Sequence, residues 1–282
     1  MLTLGAEELV VATHLAQAVA ALARTVEGQH GGDDNYLQGQ ITRYMRAAAR
    51  IAEVCPAGGK VLDIGSHYLH QSVLLRELGY EVVGMDIGLF AEAGFVVERA
   101  RRHDIQNFAV NAIESGEFLP GLEGQFDLIV FTEILEHITF NPVRFWARVY
   151  ELLKPGGVIY LSTPNALRPA AFVRQLLDLL RLRGIGIGLD EIMGSVTYGH
   201  HWKEYSAWEI RRYFALLSPD FDVGIRWYSS ESPDARGVKA LLKRAIAKVP
   251  MFRSDIEAVI VRRGSLGFSA RPPQLPMHAT PA

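Results

Sequence analysis

Between Lys60 and Ser162 five short β-rich runs alternate with helical segments, and no other feature limits the possible folds as much. The runs are Lys60–Ile64, Glu81–Met85, Ile105–Val110, Phe126–Phe131 and Val158–Ser162. Helical spacing of apolar residues predicts helices over Gln71–Leu78, Phe90–Arg102 and Asn141–Leu153. The last of these runs into Lys154-Pro155-Gly156-Gly157, a basic turn followed by breakers. Strands this continuously apolar are buried on both faces, which is the environment of a parallel sheet covered by helices. Right-handed crossovers then give a doubly wound α/β sheet.

The flanks are read the same way. Leu9–Thr25 and Gln38–Val54 are predicted helices, separated by a glycine-rich stretch from Gly28 to Asn35 that reads as a loop. After Pro164 come a helix over Ala170–Arg183, a loop over Gly184–Gly188 and a helix over Ala207–Leu217. A strand over Phe221–Trp227, a helix over Val238–Val249 and a strand over Ile256–Arg262 follow. From Gly264 the chain has four prolines and little periodicity, and disorder is expected there. The expected organisation is a helical extension over residues 1–54, a main domain over 55–264 with an insertion at about 166–200, and a tail over 265–282.

Composition matters here chiefly for what it excludes. Twenty-nine basic against thirty-one acidic side chains leave a net charge of −2, which argues against a nucleic-acid partner held by phosphate charge. The single cysteine, Cys55, excludes an intrachain disulfide and a multi-cysteine zinc site, and it fits a reducing compartment. No apolar run reaches the roughly 18 residues of a membrane span. Leu9–Ala23 is interrupted by His14 and Gln17 and follows Glu7 and Glu8, so a cytoplasmic protein is expected rather than a secreted one. Nothing in the pattern specifies an oligomer.

Ligands of doubly wound sheets sit outside the carboxyl ends of the strands. There the first run ends in Asp63-Ile64-Gly65-Ser66-His67 and the second in Gly84-Met85-Asp86. A carboxylate at Asp86 can accept hydrogen bonds from both ribose hydroxyls of an adenosyl cofactor. A dinucleotide would want G-x-G-x-x-G for its pyrophosphate, and only Gly65 is present. S-adenosylmethionine has no phosphate and tolerates a looser turn.

The segments VLDIGS (61–66), VVGMDI (82–87), FDLIVFTEILEHI (126–138) and LLKPGGVIYLSTPN (152–165) resemble, in order and spacing, the class I S-adenosylmethionine-dependent methyltransferases. The resemblance covers about residues 40–262 and implies a mostly parallel seven-stranded Rossmann-like sheet. It also implies Asp63 and Gly65 near the methionine part of the cofactor, Asp86 on the ribose and Asn111 near the adenine. His67 and Leu69 stand where that family usually has glycines.

On the reactive side, Glu133-Ile134-Leu135-Glu136-His137 follows the fourth run directly. If it opens a helical turn, Glu133, Glu136 and His137 share one face. Two carboxylates and an imidazole beside a cofactor suit a divalent cation, Mg²⁺ or Mn²⁺. E-x-x-E-H with a later histidine resembles two metal-dependent branches, the small-RNA 2′-O-methyltransferases and the ubiquinone-pathway O-methyltransferases. That resemblance implies His201, rather than His200, as the further ligand. Without metal, His137 or His201 is the candidate general base. Ala170–Arg183 with Gly184–Gly188 is read as a substrate lid in preference to a dimer contact or a surface-binding helix, and Arg99, Arg101 and Arg102 as a solvated helix end in preference to an RNA groove. The expected activity is O-methylation of a hydroxylated small molecule, sugar or glycan precursor. The alternatives are a catalytically silent binding subunit and an RNA 2′-O-methyltransferase.

Overall fold

Successive residues of the central strands feed two different cores, as the two-residue period of a pleated strand requires. In a computed structural model that describes residues 6–27, 33–182, 186–229, 248–264 and 266–272, Leu62, Ile64, Ile129 and Phe131 point to one core. Val61, Leu128 and Val130 point to the other. The strands are β1 (Lys60–Ile64), β2 (Glu81–Asp86), β3 (Gln106–Ala109), β4 (Phe126–Thr132), β5 (Leu153–Pro164), β6 (Phe221–Tyr228) and β7 (Asp255–Arg262). They form one seven-stranded sheet in the order β3-β2-β1-β4-β5-β7-β6, with β7 antiparallel to both neighbours. The doubly wound, mostly parallel sheet is therefore present as expected, and the order reverses between β1 and β4, where ligand crevices form.

The first core takes α6 (Val143–Leu152) and α9 (Ala207–Leu217) through Phe145, Trp146, Val149, Ile210 and Phe214. Ser206 and Glu209 close a reciprocal capping box that fixes where α9 begins. The second core takes α1 (Ala6–Val26), α2 (Asp33–Val54), α3 (His70–Glu77) and α5 (Gly94–Arg102). Leu22, Val26, Ala47, Ala48 and Ile51 of the first two helices are buried there, so the N-terminal extension shares the main core.

Four local expectations change. The stretch read as a loop to Asn35 already contains the first turn of α2, because Asp33 is fully buried between Arg99 and His70. Arg99 is accordingly no solvated helix end: it is fully buried, donates to both Asp33 oxygens and also bonds the Tyr68 carbonyl 2.6 Å away. The helix expected over Phe90–Arg102 is broken at Glu92 and Ala93 into α4 (Gly88–Ala91) and α5. The tail expected from residue 265 is tied down over residues 266–272. There the Leu266 and Gly267 amides donate to Asp220, the Ser269 and Ala270 amides donate to the Leu217 carbonyl, and Phe268 packs on the first core. Most of the helix predicted over Val238–Val249 lies outside the described residues. Among the described residues no helix is long and apolar enough to cross a membrane.

Candidate active site

The carboxyl ends of β1, β2 and β4 open into a cavity of about 580 Å³, within the range of small-ligand sites. Asp63, Gly65, Asp86, Glu133 and His137 all line it, and the fourth wall is α2, through Tyr36, Arg43 and Tyr44.

The β1 turn is made by its glycine. Gly65 has φ +77°, and a Cβ there would run into the Ile134 side chain, so no other residue fits without displacement. Its amide and that of Ser66 both donate to the Met85 carbonyl, which clamps the turn to β2. His67 (φ 47°) and Leu69 (φ 62°) hold the left-handed conformation usually left to glycine. Leu69 is buried away from the cavity, whereas the His67 ring lines it among Tyr36, Tyr68 and Phe90. Burial holds that imidazole down at about 4, so it is neutral at pH 7.

Asp86 is held by two backbone donors. The His67 amide lies 2.7 Å from Oδ2 and the Ile87 amide 2.7 Å from Oδ1. Each carboxylate oxygen keeps a further lone pair for a ligand. Burial raises its pKa while the two amides lower it. Asp63 is buried deeper, accepts from the Ser72 hydroxyl at 2.5 Å, and has its pKa pushed up to about 6 by desolvation. Asn111 does not join them. Its Oδ1 accepts from the Gly88 amide at 2.8 Å, and Val110 and Ile113 line that end of the cavity instead.

The acidic motif departs from a helical turn. Glu133 takes φ +55°, and only Leu135–His137 form a short 3₁₀ turn. The kink sends Glu133 back to the sheet, where it accepts from the Ser162 hydroxyl at 2.8 Å and faces Arg43 at 3.4 Å. Glu136, His137 and His201 converge without it: one ligand atom from each lies within 4.8 Å of the others. Of the four residues predicted to surround one point, three do so.

Each of the three has a distinct state. Glu136 is fully buried, with Oε2 accepting from Thr163 at 2.9 Å and Oε1 without a hydrogen-bond partner. Burial, then the Glu133 charge, pushes it up to about 8. His137 donates from Nδ1 to the His200 carbonyl 3.0 Å away, since a carbonyl can only accept; Nε2 therefore keeps its lone pair. Burial lowers the His137 pKa, and the Glu204 carboxylate, 3.6 Å from His201 Nδ1, raises that of His201.

His201 lines a second, polar pocket of about 350 Å³ with Arg174, Gln175 and Lys203, and the two imidazoles meet edge to face at 4.8 Å. The segment read as a lid, α7 (Pro169–Leu180), borders this second pocket and not the main cavity. Arg43, Tyr36, Tyr44 and Gln71 are lining residues that sequence reasoning missed. For the three on α2 the signal was polar and aromatic residues spaced along one helix, and for Gln71 on α3 there was none.

Comparison with known proteins adds family and fold. The model of a methyltransferase-domain family matches residues 36–217. A ubiquinone biosynthesis O-methyltransferase of Xanthomonas axonopodis pv. citri is 30% identical over 160 residues, 55% of this chain and 59% of that protein. One from Pseudomonas aeruginosa is 36% identical over 120 residues, 42% of this chain and 49% of that protein. The chain thus spans about half to three fifths of the length of these curated relatives. A SAM-dependent methyltransferase structure from Methanosarcina mazei superposes with a TM-score of 0.51 at 21% identity, covering 76% of this chain and 97% of that one. The [4+2]-cyclase SpnF superposes with a TM-score of 0.52 at 13% identity, covering 78% of this chain and 82% of its own. Those two likenesses concern the fold alone, and the second belongs to a cyclase, so chemistry has to be argued from the site.

Proposed function

The chain belongs to the methyltransferase-domain family, of the class I S-adenosylmethionine-dependent kind, and from that membership we propose that it methylates a hydroxyl oxygen of a small molecule, sugar or glycan precursor. The observation that carries the reading is one cavity in which a cofactor wall (Asp63, Gly65, Asp86) faces His137, itself backed by Glu136 and His201.

The residues fit the cofactor. Asp86, fixed by two amides and with lone pairs to spare, suits the ribose hydroxyls. The buried carboxyl of Asp63 and the guanidinium of Arg43 line the same cavity and suit the charged amino-acid end. When bound, S-adenosylmethionine supplies an electrophilic methyl on a sulfonium sulfur. Positioning then contributes much of the rate, because the donor is already reactive. His137 lines the cavity, neutral because burial lowers its pKa, and its Nε2 lone pair, 3.9 Å from Glu136, accepts the proton that the acceptor hydroxyl loses.

In the metal form of this reading a divalent ion, Mg²⁺ or Mn²⁺, sits on Glu136, His137 and His201 instead, and the His137 Nε2 lone pair then binds the ion rather than the proton. Its support is the chemistry of the donor set: a buried carboxylate oxygen without a hydrogen-bond partner, an imidazole nitrogen that keeps its lone pair 3.9 Å from that oxygen, and a second imidazole within reach. An ion there would act as a Lewis acid on the acceptor oxygen. The names of the curated relatives support oxygen as the atom methylated, and the net charge of −2 speaks against an RNA acceptor.

Calorimetry tests both parts. Wild type is expected to bind S-adenosylmethionine, and Asp86→Ala to weaken it by about 1.5–3 kcal/mol, the range of charge-assisted hydrogen bonds. Unchanged affinity would sink the cofactor assignment. Mn²⁺ titration is expected to give one site per chain that Glu136→Gln weakens at least tenfold while S-adenosylmethionine affinity holds. If Mn²⁺ does not bind and a chelator leaves methylation of a catechol and sugar panel intact, His137 acts as base without metal.

A further inference from the structure

The first turn of α3 carries a side chain whose chemistry nothing described so far uses. Gln71 lines the main cavity, is only 4% exposed, and neither its Nε2 nor its Oε1 has a hydrogen-bond partner. A carboxamide sealed from water with both ends unpaired is unfavourable, since each unmet group has given up its hydration without replacement. Its position in the fold narrows what would meet it. The next residue, Ser72, donates its hydroxyl to Asp63 at 2.5 Å, which pins this turn of α3 to the end of β1. The lining at Asp86, Ile87, Val110 and Ile113 comes instead from the ends of the neighbouring strands β2 and β3 and the turn beyond them.

A carboxamide offers two donors on nitrogen and an acceptor on oxygen. Pairing both ends requires a ligand that has an acceptor and a donor side by side. An α-amino acid zwitterion has them: the carboxylate accepts and the ammonium donates. We infer that Gln71 joins Asp63 and Arg43 in recognising the amino-acid end of the cofactor, Nε2 donating to its carboxylate and Oε1 accepting from its ammonium after rotation of the amide towards the cavity. This rests on the cofactor reading above and adds one side chain to the contacts of one part of that ligand. His67 at the glycine-loop position makes such a contact useful: a side chain lines the cavity where bare backbone would otherwise approach the ligand.

The test separates the two ends of the ligand. Binding of S-adenosylmethionine, S-adenosylhomocysteine and 5′-methylthioadenosine, which lacks the amino-acid end, is measured for wild type, Gln71→Leu and Asp86→Ala. Gln71→Leu is expected to lose tenfold or more for the first two and to stay within about twofold for the third. Asp86→Ala is expected to lose affinity for all three. Removing an unsatisfied amide should leave the ligand-free melting temperature of Gln71→Leu unchanged or higher. A fall in melting temperature with equal losses for all three ligands would overturn the inference, as would unaltered S-adenosylmethionine affinity. If wild type binds none of the three, the cofactor reading itself fails and this inference with it; if Asp86→Ala behaves as expected and Gln71→Leu does not, only the inference fails.

Discussion

Asp63 sets a pH dependence that belongs to one carboxyl. Its pKa in the fold is pushed up to about 6 by burial, against about 3.9 in an unfolded chain. The folded state therefore holds this proton more tightly than the unfolded state does. Its contribution to stability is fully present below about pH 4 and is lost as pH rises through 6, leaving an ionised buried carboxylate that costs on the order of 2–3 kcal/mol above pH 7. Asp63→Asn is thus expected to raise the melting temperature more at pH 7.5 than at pH 4, and an equal shift at both would contradict the assignment. Gly65→Ala goes the other way. A Cβ there meets Ile134 and sits at φ +77°, so the variant should lose about 2 kcal/mol or more in urea unfolding and bind the cofactor weakly.

Residue identity was legible in the sequence wherever a strand end fixes the side chain. Asp63, Gly65 and Asp86 line the cavity because parallel strands deliver their carboxyl ends to one edge. Asn111 and Glu133 lie beyond the last strand residues, where a single backbone angle decides. Glu133 at φ +55° turns to Ser162 and Arg43, and spacing alone carries no information about that angle.

At the level of elements, all seven strands were legible as short β-rich runs, while the placement of α2 was not. Its N-terminal turn depends on Asp33 meeting Arg99 and His70, contacts far apart in sequence that replace the loop its glycine-rich approach implies. His70 is held down at about 4 chiefly by burial, so Arg99 is the cation that balances Asp33 at neutral pH. Removing the carboxylate leaves a fully buried guanidinium without its counter-charge. Asp33→Ala is expected to destabilise the protein by about 3–5 kcal/mol in urea unfolding. Because α2 also supplies Tyr36, Arg43 and Tyr44 to the cavity, cofactor affinity should fall in the same variant. Arg101→Ala is the control: both it and its partner Glu98 are solvent-exposed, and losing the pair should leave the urea midpoint nearly unchanged.

For the molecule as a whole, proline content suggested that the segment after Gly264 was loose, yet residues 266–272 close the end of α9. Asp220 accepts from the Tyr150 hydroxyl at 2.6 Å and from the Leu266 and Gly267 amides at 3.1 and 2.9 Å, and Phe268 covers the Tyr150 ring. Ending the chain after Arg263 should lower stability by about 2–4 kcal/mol, most of it recovered by a chain that runs through residue 272; equal melting temperatures for the two would show the segment to be idle.

The insertion of β7 between β5 and β6 has a consequence for the order of events during translation. The ribosome releases the parallel strands β3, β2, β1, β4 and β5 first, and β5 then has an open edge of paired-strand length, Leu153 to Pro164. β6 emerges next, but in the finished sheet it pairs with β7 alone, and it is β7 that fills the β5 edge. Until Arg262 has cleared the exit tunnel, a nascent chain therefore carries an unsatisfied, largely apolar strand at the centre of its future sheet. Such an edge recruits other chains as readily as its own, so crowded synthesis favours tangling over completion. Slower elongation over residues 165–262 would prolong that exposure, and a holdase that covers β5 would mask the edge until β7 arrives.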